Sequence, residues 1–157
     1  MDTDQQIQIL VDQAPQYGVT AAEVEKIAPI LKALAQQLQH PQYYIPQTSE
    51  QGWLMTTLTH RTQPELSKNV VYAFPNLKAV SASPHVPKDP QVIALPMPAT
   101  HILFQMLAIK PLDSIVFFET SDNLQSGTEI SRKNLQDSIH QLVETQRSPF
   151  GLPSDIA

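Results

Sequence analysis

The sequence predicts an α+β domain. Helical apolar periodicity near both ends encloses short β-branched and aromatic runs, and clustered prolines keep long helix out of the segment between residues 84 and 98. At 157 residues the chain has the size of one domain, since domains cluster near ~100–150 residues. The expected organisation is a single α+β domain over residues 1–147, followed by a flexible tail over 148–157. Within the domain, 1–40 reads as a helical segment and 41–147 as sheet and helices. The sheet is expected to be small, mixed or antiparallel, of about four or five strands with helices packed on it.

Ile7, Leu10, Val11 and Ala14 recur at helical spacing and predict a first helix, which Pro15 to Gly18 ends. Thr20 and Glu23 form a capping-box pattern at the start of a second helix. Its stripe is Val24, Ile27, Ala28, Leu31, Leu34, Ala35 and Leu38. Pro29 either kinks that helix or splits it. One kinked helix ending near Gln39 is the favoured reading, with Pro41 as the stop. Residues 52–60 and 69–74 are strand-like and separated by a polar loop, so they predict an antiparallel pair. Asn76 before Leu77-Lys78-Ala79-Val80 marks a short capped helical turn or a third strand, the turn being favoured.

Pro84, Pro87, Pro90, Pro96 and Pro98 then crowd one stretch, which reads as a docking strip or a buried connection with a short strand over 91–95. Pro98 fits the first turn of a helix. Ile102, Leu103, Met106 and Leu107 form that helix's buried face and Pro111 closes it. Ile115-Val116-Phe117-Phe118 is a continuous apolar run of strand length, as expected of a strand covered on both faces. Residues 121–128 read as loop or hairpin turn. A last helix starts near Ser131, with Ile130 and Leu135 placed as a hydrophobic staple and Leu135, Ile139, Leu142 and Val143 as its core stripe.

Composition excludes several function classes. Cysteine is absent, which removes disulfides, thiolate metal sites and a thiol nucleophile. No run approaches the ~18 apolar residues of a membrane span, and the acidic opening Met1–Gln6 is the reverse of a signal peptide. A soluble, cytoplasmic protein is expected. The four glycines stand far apart, at 18, 52, 127 and 151, so no phosphate-cradling loop exists. No nucleophile elbow is present either. The five histidines, His40, His60, His85, His101 and His140, lack metal-site spacing. No catalytic residue, metal or cofactor is assigned. The middle of the chain (60–88) is basic, with four bases against one acid, and Trp53 and Tyr72 lie nearby. The overall charge of -5 weighs against a nucleic-acid surface.

Two site readings follow. Tyr43, Tyr44 and Trp53, aromatic and outside any helical stripe, are candidate partner-binding residues, with core capping as the alternative. His101, Glu119 and Asp122 are candidate ligand-binding residues around the apolar strand, where a carboxylate past a strand end often serves chemistry.

The runs Trp53–Thr57, Asn69–Phe74 with Leu77–Val80, Ile102–Leu107, Asp113–Phe118 and Glu129–Leu135 resemble, in element order and hydrophobicity, the N-terminal domain of the SseB family over residues 52–145. Glu119-Thr120 departs from that pattern, which has Asn-Pro after the apolar strand. The glutamine-rich, cysteine-free character also looks like conserved proteins of cyanobacteria. The resemblance implies an α+β fold and a protein-associating role, and it carries no catalytic residue across. Charged residues are 16% of the chain, against ~25% in typical domains, which suits burial against partners. The expected function is therefore a non-catalytic protein-interaction or assembly module, with a protein partner or homo-oligomer. A small-molecule-binding domain or small hydrolase with a pocket near Asp113–Asp122 is the alternative.

Overall fold

The computed structural model describes residues 2–48, 52–59, 61–63, 65–120 and 127–147, with side chains described through 142. The fold is α+β: five α-helices and two sheets of three and four strands among the described residues. Helix α1 (Thr3–Asp12) leads through a 3-10 turn (Ala14–Tyr17) to α2 (Ala21–Gln37). Both helices start with complete capping boxes, Asp2 with Gln5 and Thr20 with Glu23. α2 runs through Pro29 as one element and ends two residues short of the expected Gln39. Pro29 and Glu25 both lie on the exposed face, so the Glu25 carbonyl that Pro29 leaves unpaired meets water.

Strand β1 (Gln42–Thr48) was not expected from sequence, because Pro41 and Pro46 disguise it. It pairs antiparallel with β2 (Gly52–Trp53) and with β5 (Val92–Pro98), giving the order β2-β1-β5. The expected strand over 52–60 is divided. After Trp53 the Leu54 N–H donates to the Pro46 carbonyl at 2.9 Å. The chain then enters the other sheet as β3 (Thr56–Thr59), which pairs antiparallel with β4 (Ser67–Ala73) as the sequence suggested. β4 pairs parallel with β6 (Ser114–Phe117), and β6 antiparallel with β7 (Thr128–Ser131), in the order β3-β4-β6-β7. Asn76 caps α3 (Leu77–Ala82) through the Ala79 N–H, so the helical turn is the reading that holds.

α4 spans Ala99–Met106, and Pro98 precedes it as the cap residue rather than sitting in its first turn. α5 (Arg132–Arg147) is capped by the Ser131 hydroxyl, which accepts from the Asn134 N–H at 3.0 Å. β7 was not expected: Thr128 closes the expected loop, and residues 129–131 were read only as the approach to the last helix. Gly127 leads into β7, where a Cβ would stand 2.6 Å from the Phe117 carbonyl oxygen, so only glycine fits.

The two sheets meet at one bridge. The Tyr44 N–H donates to the Phe74 carbonyl at 2.7 Å, and the Phe74 N–H to Tyr44 at 2.9 Å. α1, α2, α4 and α5 cover one side: Leu10, Leu31, Ile45, Val71, Ile102, Ile115, Phe117 and Leu135 belong to one buried core. On the opposite side Phe74, Ala79 and Phe118 form a smaller cluster with Tyr44, Tyr72 and Val116. β6 is thus covered on both faces, as its unbroken apolar run predicted.

The prolines of the β1–β5 pair occupy permitted places. Tyr44 directs both main-chain groups toward Phe74. The alternation of an antiparallel ladder then leaves Tyr43, Ile45 and Gln47 to bond Met97, Leu95 and Ile93. Pro96 and Pro98 fall on the outward-facing positions, where no ladder donor is required. The Val92 N–H is used by the Asp89 carbonyl. The free edge of β5 is therefore nearly without donors.

Candidate functional site

An open groove of about 940 Å³ lies on the helical side of the molecule. α2 supplies Val24 and Ile27 to it, and α4 with the following turn supplies Phe104, Leu107 and Ile109. Ile139 comes from α5. Trp53 comes from β2, held opposite Gln47 of β1. The turn before α2 adds Tyr17, whose ring meets Phe104 edge-on at 5.4 Å.

Local chemistry fixes these positions. Gly52 has φ +81°, a conformation that glycine adopts without strain, and it delivers Trp53 to the groove. The C-terminal carbonyls of α4 are held by Arg132, whose Nε donates to the Met106 and Leu107 oxygens at 3.2 Å each. Its Nη2 donates to the Leu107 oxygen at 2.9 Å. A cation on those carbonyls also complements the helix dipole. The polar lining is Glu23, Gln47, Gln105, Gln136 and His140. The Glu23 carboxylate accepts the Thr20 N–H at 2.8 Å in its capping box. Among the described residues no lysine or arginine lines the groove, so they offer no guanidinium or ammonium partner to a phosphate or carboxylate.

The sequence-derived candidates take other positions. Tyr43 is fully buried, which corrects its reading as an exposed docking residue. Its ring packs on Phe117 at 5.0 Å and its hydroxyl donates to the Glu119 carboxylate. Burial, then the bond to Glu119 and its charge, push the Tyr43 phenol well above its ordinary range, so it stays a protonated donor. Tyr44 is half-buried against the smaller cluster, in line with core capping. Trp53 is the one member of the trio in the groove.

Glu119 works as a clasp. It accepts from Tyr43, from the Gln39 N–H at 3.4 Å and from the Thr128 hydroxyl at 3.2 Å. Its own carbonyl accepts from His40 Nε2 at 2.6 Å. These bonds tie the end of α2 and the start of β1 to the end of β6. His101 is buried at the α1–α4 contact, where its Nε2 donates to the Gln6 carbonyl at 2.9 Å. Burial lowers its pKa, and the bond to Gln6 opposes that shift. His101 and Glu119 thus hold different elements and do not share a site. The Asp113 carboxylate accepts the Asn69 N–H at 2.7 Å. Asp122 lies outside the described residues. Among those residues no three His, Asp or Glu side chains gather as a metal site requires, and no helix is long and apolar enough to cross a membrane.

Tyr17, Ile27, Phe104 and Ile139 were not singled out as site residues from the sequence. The available signal was apolar excess: Phe104 lies outside the expected buried face of α4, and Tyr17 sits in a turn. No family model, curated protein or solved structure matches the chain.

Proposed function

We propose that the protein is a non-catalytic interaction module that docks the apolar face of a partner protein's helix in the groove between α2, α4, α5 and the β1–β2 hairpin. One observation carries this reading. The sheet face that gives Trp53 and Gln47 to the groove also carries, by strand register, Ile93 and Leu95, which are 52% and 42% exposed. A small molecule is normally enclosed over most of its surface. An open groove on a sheet face that also bears exposed apolar side chains suits a macromolecular segment instead. The near-absence of donors on the β5 edge disfavours strand addition, leaving recognition to side chains. The low charged fraction and the SseB-like element order point the same way.

The test is affinity purification of the tagged protein from its own cells, beside the variants Ile93→Asp and Ala108→Asp. Ala108 lines the groove and is exposed, so both variants place a charge on the surface without burying it. A stoichiometric partner retained by the parent and lost from both variants, with unchanged circular dichroism, supports the proposal. A partner retained equally by all three overturns it. So does a monomer in light scattering that retains none.

A further inference from the structure

The two sheets end in four edge strands, β2, β5, β3 and β7. An edge strand offers unpaired main-chain groups to any second strand. Three of these edges are blunted. β2 is two residues long. The outward positions of β5 carry Pro96 and Pro98. β7 bears the charge of Glu129. The fourth, β3, reads Thr56-Thr57-Leu58-Thr59, with no proline, glycine or charge, and all but Leu58 are β-branched.

The main chain of β4 shows which groups of β3 are free. The Ala73 carbonyl accepts the Phe118 N–H at 2.9 Å, on the β6 side, whereas Phe74 turns both its main-chain groups to Tyr44. Alternation along β4 then directs Val71 and Asn69 toward β6, and Val70 and Lys68 toward β3. The Asn69 carbonyl accepts the Asp113 N–H at 2.8 Å, as this requires. Val70 stands opposite Thr56 and Lys68 opposite Leu58, so these pairs exchange the ladder bonds. The N–H and C=O groups of Thr57 and Thr59 therefore point away from the sheet, and no described residue is bonded to them. Apolar side chains are uncovered here as well. Leu58 is 42% exposed, Met55 just before β3 38%, and Leu66 just before β4 54%.

We infer that β3 pairs antiparallel with β3 of a second copy of this chain, about a two-fold axis at Leu58, joining the two four-stranded sheets into one. Self-complementarity identifies the occupant. With the axis at Leu58, Thr57 of each copy stands opposite Thr59 of the other, and these outward-facing residues exchange both bonds on either side of the axis. Leu58 meets its own copy in the closely spaced pair between them and covers exposed apolar surface. No like charges meet at the axis: β3 has none, and Lys68, across the ladder from Leu58, is paired with Glu129. A contact of this size is smaller than a standard interface, so the dimer is weak and concentration-dependent. It is independent of the groove, to whose lining β3 contributes no residue.

Sedimentation equilibrium of the full chain, from about 1 µM to about 1 mM, is expected to show reversible dimerisation. Amide hydrogen exchange is expected to slow with concentration at Thr57 and Thr59. At Thr56 and Leu58, already bonded to β4, it should not change. Leu58→Glu and Leu58→Lys each set like charges on the axis and are expected to weaken the dimer about tenfold, with unchanged circular dichroism because Leu58 is exposed. Mixed in equal amounts, the two variants are expected to recover the parent affinity as a heterodimer. A chain that stays monomeric to about 1 mM overturns the inference and leaves the docking groove untouched. A dimer insensitive to both charges, or one in which Thr57 and Thr59 exchange as fast as in the monomer, also overturns it. So does a dimer lost in Ala108→Asp but kept in Leu58→Glu, which places the contact in the groove.

Discussion

Replacing Gln6 with methionine keeps the volume of the side chain and removes its hydrogen bonds at a site that is 1% exposed. The Gln6 Nε2 donates to the Pro41 carbonyl at 2.9 Å. Its Oε1 accepts from the Thr100 hydroxyl at 2.7 Å and from the Thr100 N–H at 3.2 Å. The last bond matters most, because α4 begins at Ala99 with no side-chain cap of its own. Gln6 caps it from another helix. Three net hydrogen bonds at ~1 kcal/mol each give a loss of about 3 kcal/mol. The Pro41 carbonyl keeps a donor, the Ala99 N–H at 2.9 Å. The buried Thr100 N–H loses its Gln6 acceptor, which adds to the cost. In a chain of this size about 3 kcal/mol lowers Tm by roughly 10 °C. Urea unfolding followed by circular dichroism measures it directly. In a Thr100→Val background the same replacement should cost about 1 kcal/mol less, since one bond is already gone. A loss below about 1 kcal/mol for Gln6→Met, or no coupling to Thr100, refutes the assignment of Gln6 as the remote cap.

His101 makes stability depend on mild acid. Burial holds its folded pKa below the ordinary 6.5, so below that pH the unfolded chain binds a proton that the folded chain resists. Its contribution is complete above pH 6.5 and declines as pH falls, and His101→Gln should flatten the urea midpoint between pH 7 and 5. Leu31, fully buried in α2, should cost about 2–5 kcal/mol as Leu31→Ala; an unmoved midpoint would remove it from the core. Thr20→Ala should cost about 1 kcal/mol by loss of the α2 cap, read from the same unfolding curves. Gly52→Ala meets no atom within 4 Å but forces alanine to φ +81°. It should therefore cost about 1 kcal/mol through the backbone alone and shift Trp53 fluorescence.

The helices were legible because their signals are local. The stripe of α2, the Thr20–Glu23 box and the Ile130–Leu135 staple are settled within a few residues of sequence, and each appears where the pattern placed it. β1, β7 and the end of β5 were hidden for the converse reason. Whether proline is tolerated in a strand depends on which way its missing N–H would point, and that is set by a neighbour dozens of residues away. Pro46 and Pro96 become acceptable only once Tyr44 has turned its main chain to Phe74.

The same distinction separates the polar candidates from the groove. Glu119 and His101 drew notice as lone titratable groups beside apolar segments, yet their partners are Tyr43, Gln39 and Gln6, distant in sequence, and Thr128 on the next strand. A buried polar group must be satisfied, and here the satisfaction holds elements together instead of leaving an atom free for chemistry. The groove is lined mainly by apolar and amide side chains, and its mark in the sequence is surplus. α4 buries Ile102, Leu103 and Met106 in the core and still has Phe104 and Leu107 for a second surface. α2 likewise buries Val24, Ala28 and Leu31 and still presents Ile27. A core needs one apolar stripe per helix. A helix apolar over more of its circumference than its core requires offers that remainder to another surface, and in this chain the remainders of α2 and α4 face each other across one groove.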